Sequence, residues 1–448
     1  MVSEEGKYLY QIGAVELVDH LARGTVNLKE YAQGMIAFTQ ATDPQVKAFS
    51  HFSPEIIGMQ LERLQRHRQM DATPLPLLGV PIAVKDNIDT EDYPTELGFV
   101  GTQGRTPRVD AYLVHRLRAA GAVIWAKSNT TELAYFNPTV TENPRVPGHT
   151  PGGSSSGSAA AVAAGLVPVA IGTQTNGSVI RPASFCGVFG FKPTRGLIFN
   201  GGVLKCSESL DQVGVFARNI EDLAAVAEVM IGGHEDSTGR LVFPMPMREL
   251  AAQAPPLPPK LMFARTPMWD QVDGEAKAAF EDLLAELTDS MSEVELPASV
   301  ANAVPMLKTV MEAEMSTNLK PLIDAHGGQC SAAMRGLIER GAQTAAVDYL
   351  RARERMPMAT QGFEEYFDHF DAIVAPATLG PAPKGLETTG DPIMNTIWTY
   401  AGLPCVSLPL LQTEDGKPIG VQLIGKANED GRLLRTSRWL MQRLNTKA

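Results

Sequence analysis

Two clusters of serine and glycine, Pro151-Gly-Gly-Ser-Ser-Ser-Gly-Ser158 and Gly172-Thr-Gln-Thr-Asn-Gly-Ser-Val-Ile-Arg-Pro182, constrain this chain more than any other feature. Residues this small allow close approach of backbone segments and aim amide N–H groups at a common point. Between them, residues 156–164 are Ala-rich and read as a helix, whereas 167–172 are a short apolar run and read as a strand. The clusters therefore sit at the junctions of helix and strand.

The same alternation extends outward. Residues 79–84, 122–126 and 188–191 are further apolar runs of strand length, and 112–118 carry helical spacing between them. The first sixty or so residues look helical, with apolar positions three and four apart over 14–21 and 56–64. Composition changes after Asp222: 243–260 is rich in proline, and 275–359 reads as largely amphipathic helix. The strand pattern resumes at 371–377, 405–411 and 420–425, the last two joined by a Glu-Asp-Gly turn at 414–416. Core strands on both sides of a helical stretch imply one interrupted α/β domain. Its core is expected over 60–225 and 365–448, with a helical insertion on the substrate side at about 260–360.

Composition narrows the function classes. With 448 residues, 44% hydrophobic and 20% charged, the chain can bury a substantial core. A net charge of −11 carries no electrostatic footprint for nucleic acid or an anionic membrane, so neither is expected as a partner. The longest apolar run, 159–171, is broken by Gly165 and Pro168 and falls short of the about 20 residues a bilayer requires. An acidic, polar start, Met-Val-Ser-Glu-Glu-Gly-Lys, lacks the chemistry of a secretory or transit peptide, and a cytoplasmic protein is expected. Cys186, Cys206, Cys330 and Cys405 are scattered and read as reduced packing residues, not as disulfides or zinc ligands. No metal or other cofactor is expected, and a homodimer is the default oligomer.

Amide hydrolysis needs a nucleophile, a base that later protonates the leaving amine, and donors for the developing oxyanion. Ser178 follows a strand and a loop, Thr175-Asn176-Gly177, whose N–H groups can converge as an oxyanion hole. An isolated Gly-Ser would be an ordinary turn; the neighbouring cluster changes that reading. Ser154, Ser155 and Ser156 precede a helix, more serines than capping needs, and Gly152-Gly153 permit unusual backbone angles there. Ser156 or Ser158 is expected to cap. Lys85 ends an apolar run, where burial would lower its pKa and free an amine to accept protons. The alternative is a lysine at a strand end paired with Asp86 or Asp89.

These residues resemble the amidase signature family over most of the chain. The resemblance rests on Val-Lys-Asp-Asn at Lys85, the Thr-Pro-Gly-Gly-Ser-Ser-Ser-Gly-Ser-Ala-Ala-Ala-Val-Ala block, the Ser-Val-Ile-Arg-Pro-Ala block with Gly-Phe-Lys-Pro-Thr after it, and Ile-Gly-Val-Gln-Leu-Ile-Gly near the end. It implies a central mixed β-sheet flanked by helices and a Ser-cisSer-Lys triad. Ser178 would be the nucleophile, Ser154 the bridging serine after a cis peptide, and Lys85 the base, with Thr175, Asn176 and Gly177 at the oxyanion hole. Ser155, Gln174, Arg181, Gly152 and Gly153 would support the site, Arg181 by tying the loop down in preference to meeting an anionic substrate. Gln174 and Asn176 stand where many relatives have Asp and Gly, which bears on specificity and leaves the triad intact.

The resemblance implies a carbon–nitrogen hydrolase acting on small non-peptide amides, with aryl amides and carbamates or urethanes as candidates and esterase activity on the side. Three rivals are open. Gly153-Ser-Ser-Ser-Gly157 satisfies the GxSxG elbow, which would make Ser155 the nucleophile and needs a late histidine, where His369 is the last in the chain. The first cluster also resembles the phosphate-binding loop of small-molecule kinases. Finally, the chain could be the amidase subunit of a tRNA-dependent amidotransferase, although Gln174 to Ser178 depart from the Asp-Thr-Gly-Gly-Ser pattern usual there. Selectivity is expected from about 304–358 and from loops near Phe136 and Trp398; Met306, Met311, Met315 and Trp398 read as plain core in preference to pocket.

Overall fold

Short apolar runs become strands, and nearly all of them join one sheet. A computed structural model describes residues 9–71, 73–235 and 239–445. Its strands are β1 (Phe49–Phe52), β2 (Pro81–Lys85), β3 (Val123–Ser128), β4 (Val169–Gln174), β5 (Phe189–Lys192), β6 (Gln212–Ala217), β7 (His234–Glu235), β8 (Leu241–Val242), β9 (Leu261–Arg265), β10 (Met291–Glu295), β11 (Ala372–Pro376), β12 (Cys405–Gln412) and β13 (Pro418–Ile424). The helices are α1 (Ala14–Arg23), α2 (Leu28–Val46), α3 (Pro54–Met70), α4 (Tyr112–Ala119), α5 (Ser156–Ala163), α6 (Ile180–Cys186), α7 (Ile220–Met230), α8 (Met247–Ala252), α9 (Gly274–Glu286), α10 (Ala303–Ala325), α11 (Ala332–Ala342), α12 (Ala346–Phe367), α13 (Ile393–Tyr400) and α14 (Asp430–Asn445).

Eleven strands form one mixed sheet in the order β1-β3-β2-β4-β6-β5-β12-β13-β11-β9-β10, and β7 pairs with β8 apart from it. This is the α/β domain with a helix-flanked mixed sheet that the sequence implied. Strands β2, β3, β4, β11 and β13 are buried along their whole length, which is why they read as continuous apolar runs instead of alternating ones. Parallel pairing of β2 with β3 and with β4 puts the C-terminal ends of all three at one edge, where Lys85 and Gln174 lie. Helix α5 packs on β2, β3 and β4, and α6 packs on β5, β12 and β13. Gly157 makes the α5 docking possible, since a Cβ there would lie 2.1 Å from the Ala48 carbonyl oxygen.

The region expected as a helical insertion is more varied. Leu261–Arg265 and Met291–Glu295 are strands that extend the sheet in parallel beyond β11, with α9 between them. A short run such as Leu-Met-Phe-Ala has no periodicity that separates a buried strand from a buried helix. Helices α10, α11 and α12 follow, and α10 packs on α11, α12 and α13. Two further strands of the main sheet are not expected from sequence: β1, at the sheet edge with partly exposed residues, and β6; the small β7–β8 pair is not expected either. The expected 414–416 turn joins β12 to its antiparallel partner β13. Among the described residues no helix is long and apolar enough to cross a membrane. The four cysteines are free thiols, all buried except the partly exposed Cys330.

Candidate active site

Strand β2 carries Lys85 as its last residue, fully buried, with no carboxylate among the described residues bonded to its amine. The nearby acids are engaged elsewhere: Asp86 lies 3.8 Å from Lys127 Nζ, and Asp89 receives Arg105 at 2.7 Å. The strand-end ion pair considered from sequence is therefore not formed. Lys85 Nζ instead lies 2.7 Å from Ser154 Oγ and 2.9 Å from Thr173 Oγ1. Desolvation pulls its pKa down to about 7, because a buried ammonium among neutral hydroxyls loses hydration that they do not replace.

The first Ser/Gly cluster supplies Ser154, and the Gly153–Ser154 peptide is cis. Gly152 has φ +82°, a left-handed conformation that suits glycine. Ser155 occupies the N-cap position of α5 but makes no cap; its Oγ donates to the Thr173 carbonyl at 3.1 Å and accepts from Thr173 N at 3.3 Å, stitching the cluster to β4. The expected cap by Ser156 or Ser158 is absent, because each hydroxyl is bonded to a backbone carbonyl instead. Ser156 Oγ donates to the Gly152 carbonyl at 2.7 Å, and Ser158 Oγ donates to the Ile171 carbonyl at 3.0 Å.

The second cluster turns β4 into α6 by way of Gln174. Its Oε1 accepts from Val179 N at 2.8 Å and Ile180 N at 3.1 Å, while Nε2 donates to Thr399 Oγ1 at 3.0 Å. Asn176 is pinned by α13, with its side-chain oxygen on Thr396 Oγ1 and its carbonyl on Thr399 Oγ1. Gly177 faces α13 so closely that a Cβ would lie 2.4 Å from Asn395 Oδ1. The loop's own N–H groups are left over: those of Asn176, Gly177 and Ser178 have no protein acceptor among the described residues. Ser178 stands at the end of this loop and is 9% exposed.

Ser154, Thr175, Asn176, Gly177, Ser178 and Arg181 line one cleft with Ala134, Tyr135, Phe136, Met311, Met315 and Pro392. Arg181 bonds the Gly153 and Gly390 carbonyls, each at 2.6 Å, and lies over the Phe136 ring. Phe136, Met311 and Met315 are thus cleft residues, whereas Trp398 is buried against Phe363 and Met306 meets Tyr400 Oη; neither lines the cleft.

A family model described as Amidase matches residues 30–434. The chain belongs to the amidase family. Curated relatives include a glutamyl-tRNA(Gln) amidotransferase subunit of Symbiobacterium thermophilum, 34% identical over 475 residues and covering 94% of each chain. The corresponding subunit of Picosynechococcus sp. is 32% identical over 444 residues, with 90% of this chain and 91% of the relative covered. Among solved structures, one described as a vestigial protein complex bearing on the origins of an s-triazine catabolic enzyme superposes with a TM-score of 0.87 at 28% identity, covering 96% of this chain and 98% of that one. A peptide amidase bound to the competitive inhibitor chymostatin gives 0.83 at 28% identity, with 97% and 98% covered. Relatives named for a tRNA amidotransferase remove the force of the charge argument against a nucleic-acid partner.

Two rivals lose their footing in the amidase family. Ser155 Oγ is buried and committed to Thr173, and His369 is exposed just beyond α12, so the GxSxG reading has neither nucleophile nor base. The amidase match over residues 30–434 leaves no role for a kinase loop. Thr173 and Asp211 are site neighbours that sequence reasoning misses. Thr173 is hidden inside a strand, and Asp211 lies far from both clusters along the chain.

Proposed function

We propose that this chain cleaves the carbon–nitrogen bond of an amide through an acyl-enzyme on Ser178. The observation that carries the reading is Lys85 Nζ at 2.7 Å from Ser154 Oγ, with no carboxylate among the described residues in direct contact with the lysine. Neutral Lys85 takes the Ser154 proton while Ser154 takes that of Ser178, whose Oγ bonds the carbonyl carbon. The N–H groups of Asn176, Gly177 and Ser178, which lack protein acceptors, receive the oxyanion. Ser154 then protonates the departing nitrogen as the C–N bond breaks and is reprotonated by Lys85; water attacks the ester, giving its proton to Ser154 and Lys85, and that proton returns to Ser178 as the acid leaves.

The cleft supports a neutral, apolar acyl group such as an aryl or alkyl amide or a carbamate. Tyr135, Phe136, Met311, Met315 and Pro392 supply apolar walls, and the terminal nitrogens of Arg181 are already committed to backbone carbonyls. A second reading, the amidase subunit of a glutamine-dependent tRNA amidotransferase, is supported by the names of the curated relatives. The net charge of −11 does not oppose it, since a companion protein can hold the tRNA. Glutamine brings an α-ammonium and an α-carboxylate, and Arg181 is the charged side chain among the described cleft residues.

Amine release by mass spectrometry from primary amides, anilides, aryl carbamates and glutamine, with Ser178→Ala alongside, separates the two readings. Release from anilides or carbamates that vanishes in the variant is the expected result. Ammonia from glutamine alone supports the amidotransferase reading, and release that persists in Ser178→Ala overturns the assignment of the nucleophile.

A further inference from the structure

Asp211 is bonded to the first residue of the oxyanion loop. The β4–β6 register sets Gln174 against Gln212, and the next step places Asp211 opposite Thr175. Thr175 Oγ1 donates to Asp211 Oδ1 at 2.6 Å, and the N–H groups of Cys206 and Ser207 both donate to Oδ2 at 2.8 Å. This carboxylate thus holds the first residue of the loop and the turn beside Lys85 together. The turn is held in its own right, because Ser209 N and Ser209 Oγ donate to Glu314 of α10 at 2.9 and 2.6 Å. Asp211 also lines a small cavity with Asn87, Thr173, Asn200 and Cys206, and Asn87 Nδ2 donates to the same Thr173 hydroxyl that Lys85 bonds.

We propose that Asp211 is a positioning residue for acyl transfer, fixing the oxyanion loop through Thr175 and presenting its negative charge to Lys85. The inference rests on the assignment of Ser178 and Lys85 above. Three groups act electrostatically on Lys85: Cys206, Asp211 and Arg181. Burial holds the Cys206 thiol well above its ordinary pKa, so it is uncharged at neutral pH. Arg181 opposes the lysine charge, which leaves Asp211 as the anion that favours it. Glu314, the acid that faces Asp211 from α10, helps burial lift the Asp211 pKa to about 6, so Asp211 is ionised above that pH.

Asparagine at 211 has one acceptor oxygen for three donors and turns an N–H₂ toward the others. It also removes the charge. The two consequences separate a positioning role from a merely structural one: loss of the loop bond slows the reaction, and loss of the charge makes Lys85 neutral at lower pH. A hydrophobic side chain at 175 produces the first effect alone.

The probe is an alkyl fluorophosphonate, which needs no knowledge of the substrate. Ser178 Oγ bonds phosphorus, fluoride leaves, the hydroxyl proton passes to Ser154 and Lys85, and the phosphonyl oxygen occupies the oxyanion site. Labelling rates of the full chain are followed by intact mass from pH 6.5 to 9, the adduct is mapped to its residue, and Ser178→Ala is run in parallel. Asp211→Asn is expected to label about tenfold more slowly or worse, with its acid limb moved to lower pH. Thr175→Val is expected to slow labelling with the limb unmoved, and Thr175→Ser to recover rate relative to valine. Wild-type rate and limb in Asp211→Asn overturn the inference while an unlabelled Ser178→Ala upholds the assignment beneath it. If Asp211→Asn does not fold, wild-type labelling of Thr175→Val overturns the inference by itself. Labelling of Ser178→Ala at the wild-type rate overturns both.

Discussion

Arg181 Nη2 lies 2.6 Å from the Gly153 carbonyl, and through that bond α6 holds the serine cluster that precedes α5. The other arm of the guanidinium reaches the Gly390 carbonyl, so one side chain fixes the cleft from three segments. A lysine cannot fork to both acceptors. Arg181→Lys is expected to destabilise the chain by about 1–3 kcal/mol through the carbonyl left without a donor, and to slow fluorophosphonate labelling. Urea melts and labelling rates check the two effects; unchanged values for both would place Arg181 outside the site's framework.

Lys85 is expected to set the acid side of the pH profile. Burial lowers its pKa to about 7, and the protonated form cannot accept the Ser154 proton. Activity should therefore rise about tenfold per unit of pH below 7 and level off above it. Lys85→Ala should lose both the limb and most of the activity. A wild-type profile that is flat between pH 6 and 9 would remove Lys85 as the base.

Gln174 accepts two backbone N–H groups at the start of α6 and donates to Thr399 of α13. Gln174→Ala strands both donors in a buried site and should cost about 2–4 kcal/mol. Gln174→Glu keeps the acceptor and gives up the donation, so the stability order wild type, then Glu, then Ala is expected in thermal melts. An alanine variant as stable as wild type would contradict this account of the loop.

Met311 and Met315 of α10 line the cleft. Shortening Met315 to alanine enlarges the cleft, and the ratio of kcat/KM for a bulky over a small acyl group should rise by about 10-fold or more. The comparison is made on anilides that differ in the acyl part alone. An unaltered ratio would place Met315 in the core and not at the substrate.

Local chemistry is readable from one dimension. Lys85 at the end of Ile-Ala-Val, the serine cluster after Gly-Gly, and Ser178 after its loop are signals carried by neighbours in sequence, and all three converge in the structure. The same holds for the main strands, because doubly buried strands need continuous apolar residues. Strand β9 is not readable, since a four-residue apolar run lacks the length to reveal its period, and β10, Met-Ser-Glu-Val-Glu, has no apolar run at all.

Which hydroxyl does what is settled by tertiary contact. Ser156 and Ser158 have the composition of caps, yet Ser156 turns back to the Gly152 carbonyl of its own segment, and the Ile171 carbonyl, brought near by packing, takes Ser158. Asp211 joins the site through strand register, and Met311 and Met315 join it because α10 packs on α13. The reactive groups and most of the sheet that carries them are thus written into runs of adjacent residues, because burial and backbone freedom are local properties of composition. The partners each group meets are a product of packing, because a hydrogen bond between residues dozens of positions apart depends on distances that no local pattern encodes.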